Sequence, residues 1–235
     1  MIKSDNISDN KKHTTDPIYK SDNRNATATP HARLENRKLR LAILGAGGIA
    51  RKMAETVNQM EDVELYAVAS RTEEKARQFA DTYHASKWYG SYEEMVADDG
   101  IDLVYVATPH SHHKEHTMLC LNYNRAVLCE KAFAVNTKEA EDMIRLAKEK
   151  NILLAEAMWV RYMPMSFTLK EIIDSDVIGK ITGLTANLGY SLMQVERLIR
   201  PELAGGALLD LAPYTLNFAT WVLGDNVSEI HTTMT

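Results

Sequence analysis

The feature that most constrains this 235-residue chain is an aliphatic run that passes directly into a glycine-rich turn. Residues 39–44 read LRLAIL and residues 45–50 read GAGGIA, which fits the pattern G-x-G-x-x-A at the start of a helix. Gly45 permits a tight turn, Gly47 lets the backbone approach a pyrophosphate, and the small Ala50 allows the helix to pack closely. Taken alone the pattern is weak, because a glycine turn can be purely structural.

The turn lies at the head of an alternating series of strand and helix patterns, which favours a dinucleotide site over a purely structural turn. Alternation of this kind is typical of parallel strands joined by right-handed crossovers, and it predicts an α/β fold with a doubly wound sheet. The predicted strands are 39–44, 63–69, 103–107, 126–129 and 152–155. The predicted helices are about 48–60, 72–83, 112–123 and 137–150.

The regular alternation of strand and helix patterns ends after Trp159, which indicates a second domain. The patterns there predict a helix near 165–174, a strand at 181–190, a helix at about 206–223 and a strand from 227 to the end. We therefore expect a Rossmann domain at 38–157 and a partial substrate and dimerisation domain at 158–235.

Residues 1–37 are polar, lack an apolar period and carry a net charge of +2. Such a segment buries too little apolar surface to offset its ordering entropy, so we predict a disordered tail. It has no apolar signal-peptide core, and its acidic residues argue against an organelle presequence.

Charge and cysteine content narrow the function classes. The net charge of −5 offers no global positive field for nucleic acid, and no apolar run is long enough to cross a bilayer. The two cysteines, Cys120 and Cys129, exclude a disulfide framework and fit a reducing compartment, so we expect a cytoplasmic protein with a small-molecule ligand.

The second predicted strand ends in Ser70-Arg71 rather than in an acidic residue. An acid there would hold the ribose 2′-hydroxyl of NAD, whereas a hydroxyl followed by a guanidinium suits the 2′-phosphate of NADP. The sequence therefore favours NADP over NAD. The alternative is that Arg71 stacks on the adenine or faces solvent.

Four histidines follow the third predicted strand: His110, His112, His113 and His116. Ligands bind beyond the carboxyl ends of parallel strands, so this segment, beginning at Thr108-Pro109, is expected to line the crevice. His112 and His116 have the i, i+4 spacing of some zinc sites, but no cysteine or acid completes a ligand set. We predict no metal site.

Two further segments bring polar residues to apolar surroundings. Glu130-Lys131 follows the fourth strand, where a lysine can orient a hydroxyl or hold a ribose, or can simply lie on the surface. Asp210, Tyr214 and Asn217 share one face of an otherwise apolar predicted helix. They are either a site or a structural hydrogen-bond network.

Together these motifs resemble the Gfo/Idh/MocA oxidoreductases, in particular the dihydrodiol dehydrogenase-like branch that oxidises trans-dihydrodiols or pentoses with NADP. The resemblance extends from about residue 38 to the end of the chain. The matching stretches are the Gly45 turn, Ser70-Arg71, Thr108-Pro109 with His113, Glu130-Lys131, the run 156–162, and Gly205-Gly206 through Tyr214.

The resemblance implies a two-domain enzyme whose second domain carries an open, mainly antiparallel sheet that covers the nicotinamide and often pairs two copies. It implies catalytic roles for Lys131, Tyr214 and Asp210: Tyr214 takes the proton of a secondary alcohol, and Lys131 beside it favours the phenolate. The implied cofactor contacts are Gly45, Ala46, Gly47, Gly48, Ile49, Ser70, Arg71, Lys75, Thr108, Pro109, His110, His113, Glu130, Lys131, Trp159 and Arg161.

Two departures from the family pattern support an alternative function. Ala132 stands where the family usually has a proline, and family members continue well past residue 235, so we expect either a fragment of a longer product or a compromised second sheet. The alternative is a nucleotide-binding regulator without catalysis or an inactive truncated family member.

Overall fold

The computed structural model describes residues 37–233. The predicted tail lies outside the described residues, apart from Arg37, and so do the last two residues of the predicted terminal strand. Residues from Lys38 onward form one compact unit. The domain boundary expected at residue 157 stays a prediction.

A six-stranded parallel sheet forms the first part of this unit, in the order β3-β2-β1-β4-β5-β6. The doubly wound parallel fold predicted from the alternating pattern is confirmed. The strands are β1 (Leu39–Leu44), β2 (Val63–Ala69), β3 (Lys87–Tyr89), β4 (Leu103–Val106), β5 (Ala126–Cys129) and β6 (Leu154–Glu156). The short edge strand β3 is absent from the sequence prediction, and β6 begins two residues later than expected.

Helices cover both faces of the sheet and continue beyond it. They are α1 (Gly48–Val57), α2 (Glu73–Tyr83), α3 (Tyr92–Val96), α4 (His113–Asn122), α5 (Thr137–Lys150), α6 (Pro164–Asp174), α7 (Glu196–Ile199), α8 (Ala207–Asp210) and α9 (Ala212–Leu223). The four helices predicted between the strands are confirmed as α1, α2, α4 and α5, and the short α3 is an addition.

Helix α5 shows why these segments are helical. The Asn136 side chain accepts a hydrogen bond from the Glu139 N–H at 3.0 Å, which satisfies a free donor at the helix start. Met143 and Ala147 are buried one turn apart, so the inner face packs on the sheet. The helix ends at Asn151, whose φ of 54° is the left-handed geometry common after a helix.

Alternate residues of β1 enter two separate cores. Ala42 and Leu44 lie in the core on one side of the sheet, and Leu41 and Ile43 lie in the core on the other. The four residues of β1 that are buried, Leu41–Leu44, are all apolar, as burial on both faces requires, whereas Arg40 lies at the less buried start of the strand.

The register of the central strands brings several loops to one edge. Leu44 at the end of β1 pairs with Ala69 of β2 and Val106 of β4, and Val106 pairs with Cys129 of β5. The chain order reverses on the two sides of β1, which is the point where ligands bind in sheets of this kind. The residues that follow these strands therefore line a common crevice.

Beyond β6 the described chain is helical or irregular. The predicted helix near 165–174 is confirmed as α6, but the one predicted at about 206–223 breaks at Leu211 into α8 and α9, with Pro213 in the first turn of α9. The strands predicted at 181–190 and from 227 onward are not formed by the described residues, because neither segment finds a partner for a backbone ladder. No helix within residues 37–233 has the length and apolarity that a membrane span requires.

Candidate active site

The glycine turn after β1 has the geometry that the sequence predicted. Gly45 has a φ of +103°, and its N–H donates to the Ala69 carbonyl at 3.0 Å. A Cβ at this position would lie 2.9 Å from Thr108 Cγ2. Glycine is therefore needed both for the backbone conformation and for the close approach of the loop after β4.

Helix α1 begins with an open end that can receive an anion. Gly47 precedes the helix without a side-chain cap, and the first turn contains no acidic residue. A Cβ on Gly48 would meet no atom within 4 Å, so this side of the turn is open. Ala46 and Ala50 are buried beneath the turn, and Ile49 is exposed beside it. The residues present fit a dinucleotide pyrophosphate, whose charge the free N–H groups would hold.

A cleft of about 390 Å³ lies at the ends of β2 and β3. Arg71 and the half-exposed Trp88 contribute to its wall. Lys75 is exposed on the first turn of α2, and Ser70 is buried with its N–H bonded to the Tyr89 carbonyl at 3.2 Å. Arg71 is exposed in the wall of this cleft, which also contains Glu73 and Glu94, so its guanidinium can reach a phosphate there.

His113 lies behind the crevice rather than in it. The ring is fully buried, with Nδ1 2.7 Å from the Ala132 carbonyl oxygen and Nε2 2.9 Å from the Thr108 carbonyl oxygen. Burial lowers its pKa to about 4, and because a neutral imidazole has one N–H, the ring donates to only one of the two carbonyl oxygens. The cofactor contact expected for His113 stays a prediction, and in this structure the buried ring lies between the loops after β4 and β5.

The other histidines also have protein partners. His110 is buried, with Nδ1 3.0 Å from the Ala204 carbonyl oxygen, and burial lowers its pKa. His116 Nδ1 lies 3.0 Å from the Thr108 hydroxyl, and the rings of His112 and His116 stack at 5.6 Å. Within residues 37–233 no three histidine, cysteine, aspartate or glutamate side chains are grouped to hold a metal ion.

Glu130 points into the protein. It is buried, accepts a short hydrogen bond from the Tyr105 hydroxyl, and accepts the Lys131 N–H at 3.0 Å. Burial raises the pKa of Glu130, and it also raises the pKa of Tyr105, which the neighbouring carboxyl raises further. The cofactor contact expected for Glu130 stays a prediction, and in this structure the carboxyl supports the backbone of Lys131.

The Lys131 ammonium lies at the centre of the polar cluster. Its side chain is 11% exposed, and Nζ donates to the Asp210 carboxylate at 2.9 Å and to the Asp210 carbonyl at 2.7 Å. Nζ also lies 4.9 Å from the centre of the Tyr214 ring. The structure therefore brings together all three residues for which the resemblance implied a catalytic role.

Asp210 also accepts a hydrogen bond from Arg197, a residue that the sequence analysis missed. Arg197 Nη1 is 3.2 Å from the same carboxylate oxygen that Lys131 contacts. Burial opposes ionisation of Asp210, but the hydrogen bond from Lys131 and the two positive charges outweigh it and lower its pKa. Nothing in the local sequence of Arg197 signals this contact.

Residues of the Trp159–Tyr162 turn hold helix α9. Trp159 Nε1 donates to the Tyr214 hydroxyl at 3.2 Å, and Arg161 Nε donates to the Asn217 amide oxygen at 3.0 Å. The polar face predicted from the spacing of Asp210, Tyr214 and Asn217 survives the break at Leu211, with Asp210 on α8 and the other two on α9. Trp159 and Arg161 in this structure contact the tyrosine helix, while Trp159 keeps half of its surface exposed.

These features define a class of protein: a Rossmann-type oxidoreductase, with a dinucleotide cradle and a buried lysine beside a tyrosine at the same sheet edge. The chain belongs to the Gfo/Idh/MocA family. Residues 39–158 match the model of its oxidoreductase domain with an NAD-binding Rossmann fold, and residues 167–235 match the model of a GFO/IDH/MocA C-terminal domain.

Two curated relatives are named as dehydrogenases. The chain is 41% identical over 206 residues to the D-xylose 1-dehydrogenase (NADP(+)) of Hypocrea jecorina, which covers 78% of this chain and 52% of that protein. It is 35% identical over 193 residues to the trans-1,2-dihydrobenzene-1,2-diol dehydrogenase of Danio rerio, which covers 81% of this chain and 58% of the relative. The chain thus spans little more than half the length of these relatives.

A solved structure of similar fold is that of KijD10, described as a 3-ketoreductase from Actinomadura kijaniata in complex with NADP and TDP-benzene. It superposes with a TM-score of 0.73 at 26% identity, covering 80% of this chain and 58% of KijD10.

Proposed function

We propose that this chain is an NADP-dependent dehydrogenase that transfers hydride between the nicotinamide and a secondary alcohol of a sugar such as a pentose or of a trans-dihydrodiol. The observation that carries the proposal is the position of the Lys131 ammonium. It is held by Asp210, lies 4.9 Å from the centre of the Tyr214 ring, and shares the sheet edge of the Gly45 turn. The names of both relatives support this substrate class.

The preference for NADP rests on two exposed cations. Arg71 follows β2 where an acid would select NAD, and Lys75 lies one helical turn further on. The name of the Hypocrea jecorina relative, which specifies NADP(+), supports this choice. The backbone of the Gly45 turn and the N-terminus of α1 would hold the pyrophosphate, while Thr108 and Pro109 lie at the neighbouring strand end.

In the proposed mechanism Tyr214 removes the proton of the substrate hydroxyl. An unperturbed phenol is a poor base near neutral pH, so its anion needs stabilisation. The Lys131 ammonium beside the ring and the Trp159 N–H at the phenol oxygen both favour the phenolate. Bound NADP supplies the hydride acceptor, and the residues of the crevice orient the alcohol.

The test is NADPH formation by the purified chain with a panel of pentoses and trans-diols. Tyr214→Phe removes the base and Lys131→Met removes the ammonium, and each is expected to lower kcat by about 10²- to 10⁴-fold. Lys138→Met, which removes an exposed lysine of α5, is the matched control and is expected to keep wild-type turnover. Unchanged turnover in both site variants would refute the mechanism.

A non-catalytic nucleotide binder is the second candidate, and the observation that favours it is Ala132, which follows Lys131 where the family usually has a proline. Titration of the chain with NADPH, followed by nicotinamide fluorescence, separates the two functions. Binding without oxidation of any substrate in the panel would assign the chain to this second function.

Three further features stay proposals of their own. An open antiparallel sheet in the second domain is supported by the match of residues 167–235 to the C-terminal domain of the family. Pairing of two copies through that domain is supported by exposed apolar side chains such as Met193 and Leu208. A cytoplasmic location is supported by two buried free cysteines.

A further inference from the structure

The carboxylate of Asp210 is shared by two cations from different segments. Lys131 Nζ lies 2.9 Å and Arg197 Nη1 lies 3.2 Å from the same oxygen, Oδ1. Asp210 is only 5% exposed, so its carboxylate depends on these two cations for partners, while the Arg197 side chain itself is 45% exposed. Since Lys131 also donates to the Asp210 backbone carbonyl, the orientation of this one residue determines where the ammonium lies.

The Gly205-Gly206 pair explains how Arg197 reaches the site. The Gly206 N–H donates to the Leu198 carbonyl at 2.8 Å, which holds the one-turn helix α7 against the start of α8. A Cβ on Gly205 would lie 2.6 Å from the Leu198 carbonyl oxygen. Only glycine permits this approach, so the two glycines place Arg197 beside Asp210.

A second arginine on the same segment shows that the contact is selective. Arg200 lies three residues after Arg197, but its guanidinium bonds to Glu196 at 2.7 Å and to Glu202 at 2.9 Å, all exposed. Arg200 therefore makes the ordinary surface ion pairs of a solvated segment. It supplies a matched control for the removal of one arginine charge.

Other titratable groups surround the lysine on each side. Glu130 precedes it in the chain, Glu156 ends β6, His110 lies in the turn after β4, and Tyr214 comes from α9. Burial raises the pKa of both glutamates and lowers that of His110, so each of these buried groups is shifted toward its neutral form. Asp210 is shifted the opposite way.

We propose that Arg197 is a positioning residue of the dehydrogenase site, which acts through Asp210 to hold the Lys131 ammonium beside Tyr214. This inference rests on the proposed function. Without Arg197 the Asp210 carboxylate keeps Lys131 as its one cationic partner. The group formed by Lys131, Arg197 and Asp210 then loses its net positive charge. Both changes weaken the stabilisation of an anionic phenol.

Steady-state kinetics of Arg197→Gln, Arg197→Lys and Arg200→Gln test the proposal. We expect Arg197→Gln to lower kcat by about tenfold, to leave KM for the alcohol within about twofold, and to move the rising limb of the pH profile of kcat to higher pH. Arg197→Lys, which keeps the charge, is expected to restore most of kcat, and Arg200→Gln to match the wild type. A raised KM at unchanged kcat would show a substrate contact instead and overturn the proposal.

A second measurement does not depend on turnover. Reductive methylation with ¹³C-formaldehyde labels the lysines, and the signal missing from Lys131→Met identifies Lys131 in the NMR spectrum. Arg197→Gln is expected to shift this signal and its titration, whereas Arg200→Gln leaves both unchanged. Gly205→Ala, which displaces Leu198 while keeping the guanidinium, is expected to shift the signal in the same way.

The two measurements distinguish a failure of the proposed dehydrogenase function from a failure of the role proposed for Arg197. If the wild-type chain reduces no NADP, the proposed dehydrogenase function fails, while the NMR comparison still decides whether Arg197 positions Lys131. A Lys131 signal that is the same in wild type and Arg197→Gln overturns the inference, whatever the activity. If Arg197→Gln does not fold, Gly205→Ala gives the same readout with the arginine in place.

Discussion

The two parts of the described chain differ sharply in how they bury their side chains. The core residues lie between Leu41 and Met158, and Asp210 alone among the described residues beyond Met158 is buried to the same degree. In the same later region Met193 is 77% exposed and Leu208 is 72% exposed. The first part is therefore stabilised by apolar packing on both faces of a sheet, whereas the second is joined to it through a polar cluster.

Because of this contrast, Lys131 and Tyr214 are held in position by different kinds of interaction. Lys131 follows a buried strand, with its backbone held by Glu130. Tyr214 lies on a helix that has no fully buried residue, and its hydroxyl accepts a hydrogen bond from Trp159, which directly follows the first part. The position of the lysine thus depends on the sheet, and the position of the tyrosine depends on a few hydrogen bonds.

The largest expected effect comes from a matched pair of leucine truncations. Leu44→Ala removes a fully buried side chain of β1 and is expected to lower the free energy of unfolding by about 3 kcal/mol. Leu216→Ala truncates a side chain on α9 that is 61% exposed and is expected to change it by less than about 0.5 kcal/mol. Urea unfolding measures both. Equal losses would contradict the contrast in packing.

A smaller effect is expected at the glycine turn. Gly45→Ala places a Cβ 2.9 Å from Thr108 Cγ2 at a φ of +103°, which we expect to cost about 1–3 kcal/mol and to weaken NADPH binding. Gly48→Ala adds a methyl group where no atom lies within 4 Å, so its stability is expected to stay at or slightly above that of the wild type. Thermal unfolding and NADPH titration check both variants. A Gly45→Ala protein as stable as Gly48→Ala would show that the turn is not strained by a side chain.

The smallest effect is a difference in pH dependence between two carboxyl groups. The pKa of Glu130 is raised in the folded protein, so its contribution to stability falls as pH rises above the unfolded value of about 4.3. Glu130→Gln is therefore expected to gain stability relative to the wild type as pH increases from about 4 toward 7. The measurement is urea unfolding at a series of pH values.

The contribution of Asp210 to stability is expected to change with pH in the opposite direction. Its folded pKa is lowered, so its contribution is present above the unfolded value of about 3.9 and is lost as pH falls through the folded value. Asp210→Asn is expected to be less stable than the wild type near neutral pH, with the deficit shrinking below about pH 4. Parallel curves for the wild type and both variants would contradict these opposite shifts.

The sequence predicted the first part of the fold well because its signals are local. The central strands are mostly apolar, with the charged residues Arg40 and Glu64 only near the starts of β1 and β2, and the turn at Gly45 requires a left-handed backbone that glycine adopts. Strand β3 was missed because it is three residues long, lies at the edge, and exposes Lys87 and Trp88. The second part was predicted less well, since a strand at 181–190 depends on a partner that the local pattern cannot supply.

The sequence predicted most residues of the candidate site but only part of how their side chains are placed. Lys131, Asp210 and Tyr214 meet as the resemblance implied. Glu130 and His113 were assigned to the cofactor, yet they lie inside the protein, because loop order along a sheet edge does not determine which side chains turn inward. Arg197 carries no motif at all, and only the fold of the chain around Gly205 brings it to Asp210.

The buried imidazole of His113 lies between the two loops that form the floor of the crevice. Its two ring nitrogens contact the carbonyl oxygens of Thr108 and Ala132, which belong to loops from adjacent strands. A movement of either loop would therefore change the surroundings of this ring. The Ala132 carbonyl lies one residue beyond Lys131, so this buried ring is the point at which the Thr108 loop and the Lys131 loop meet.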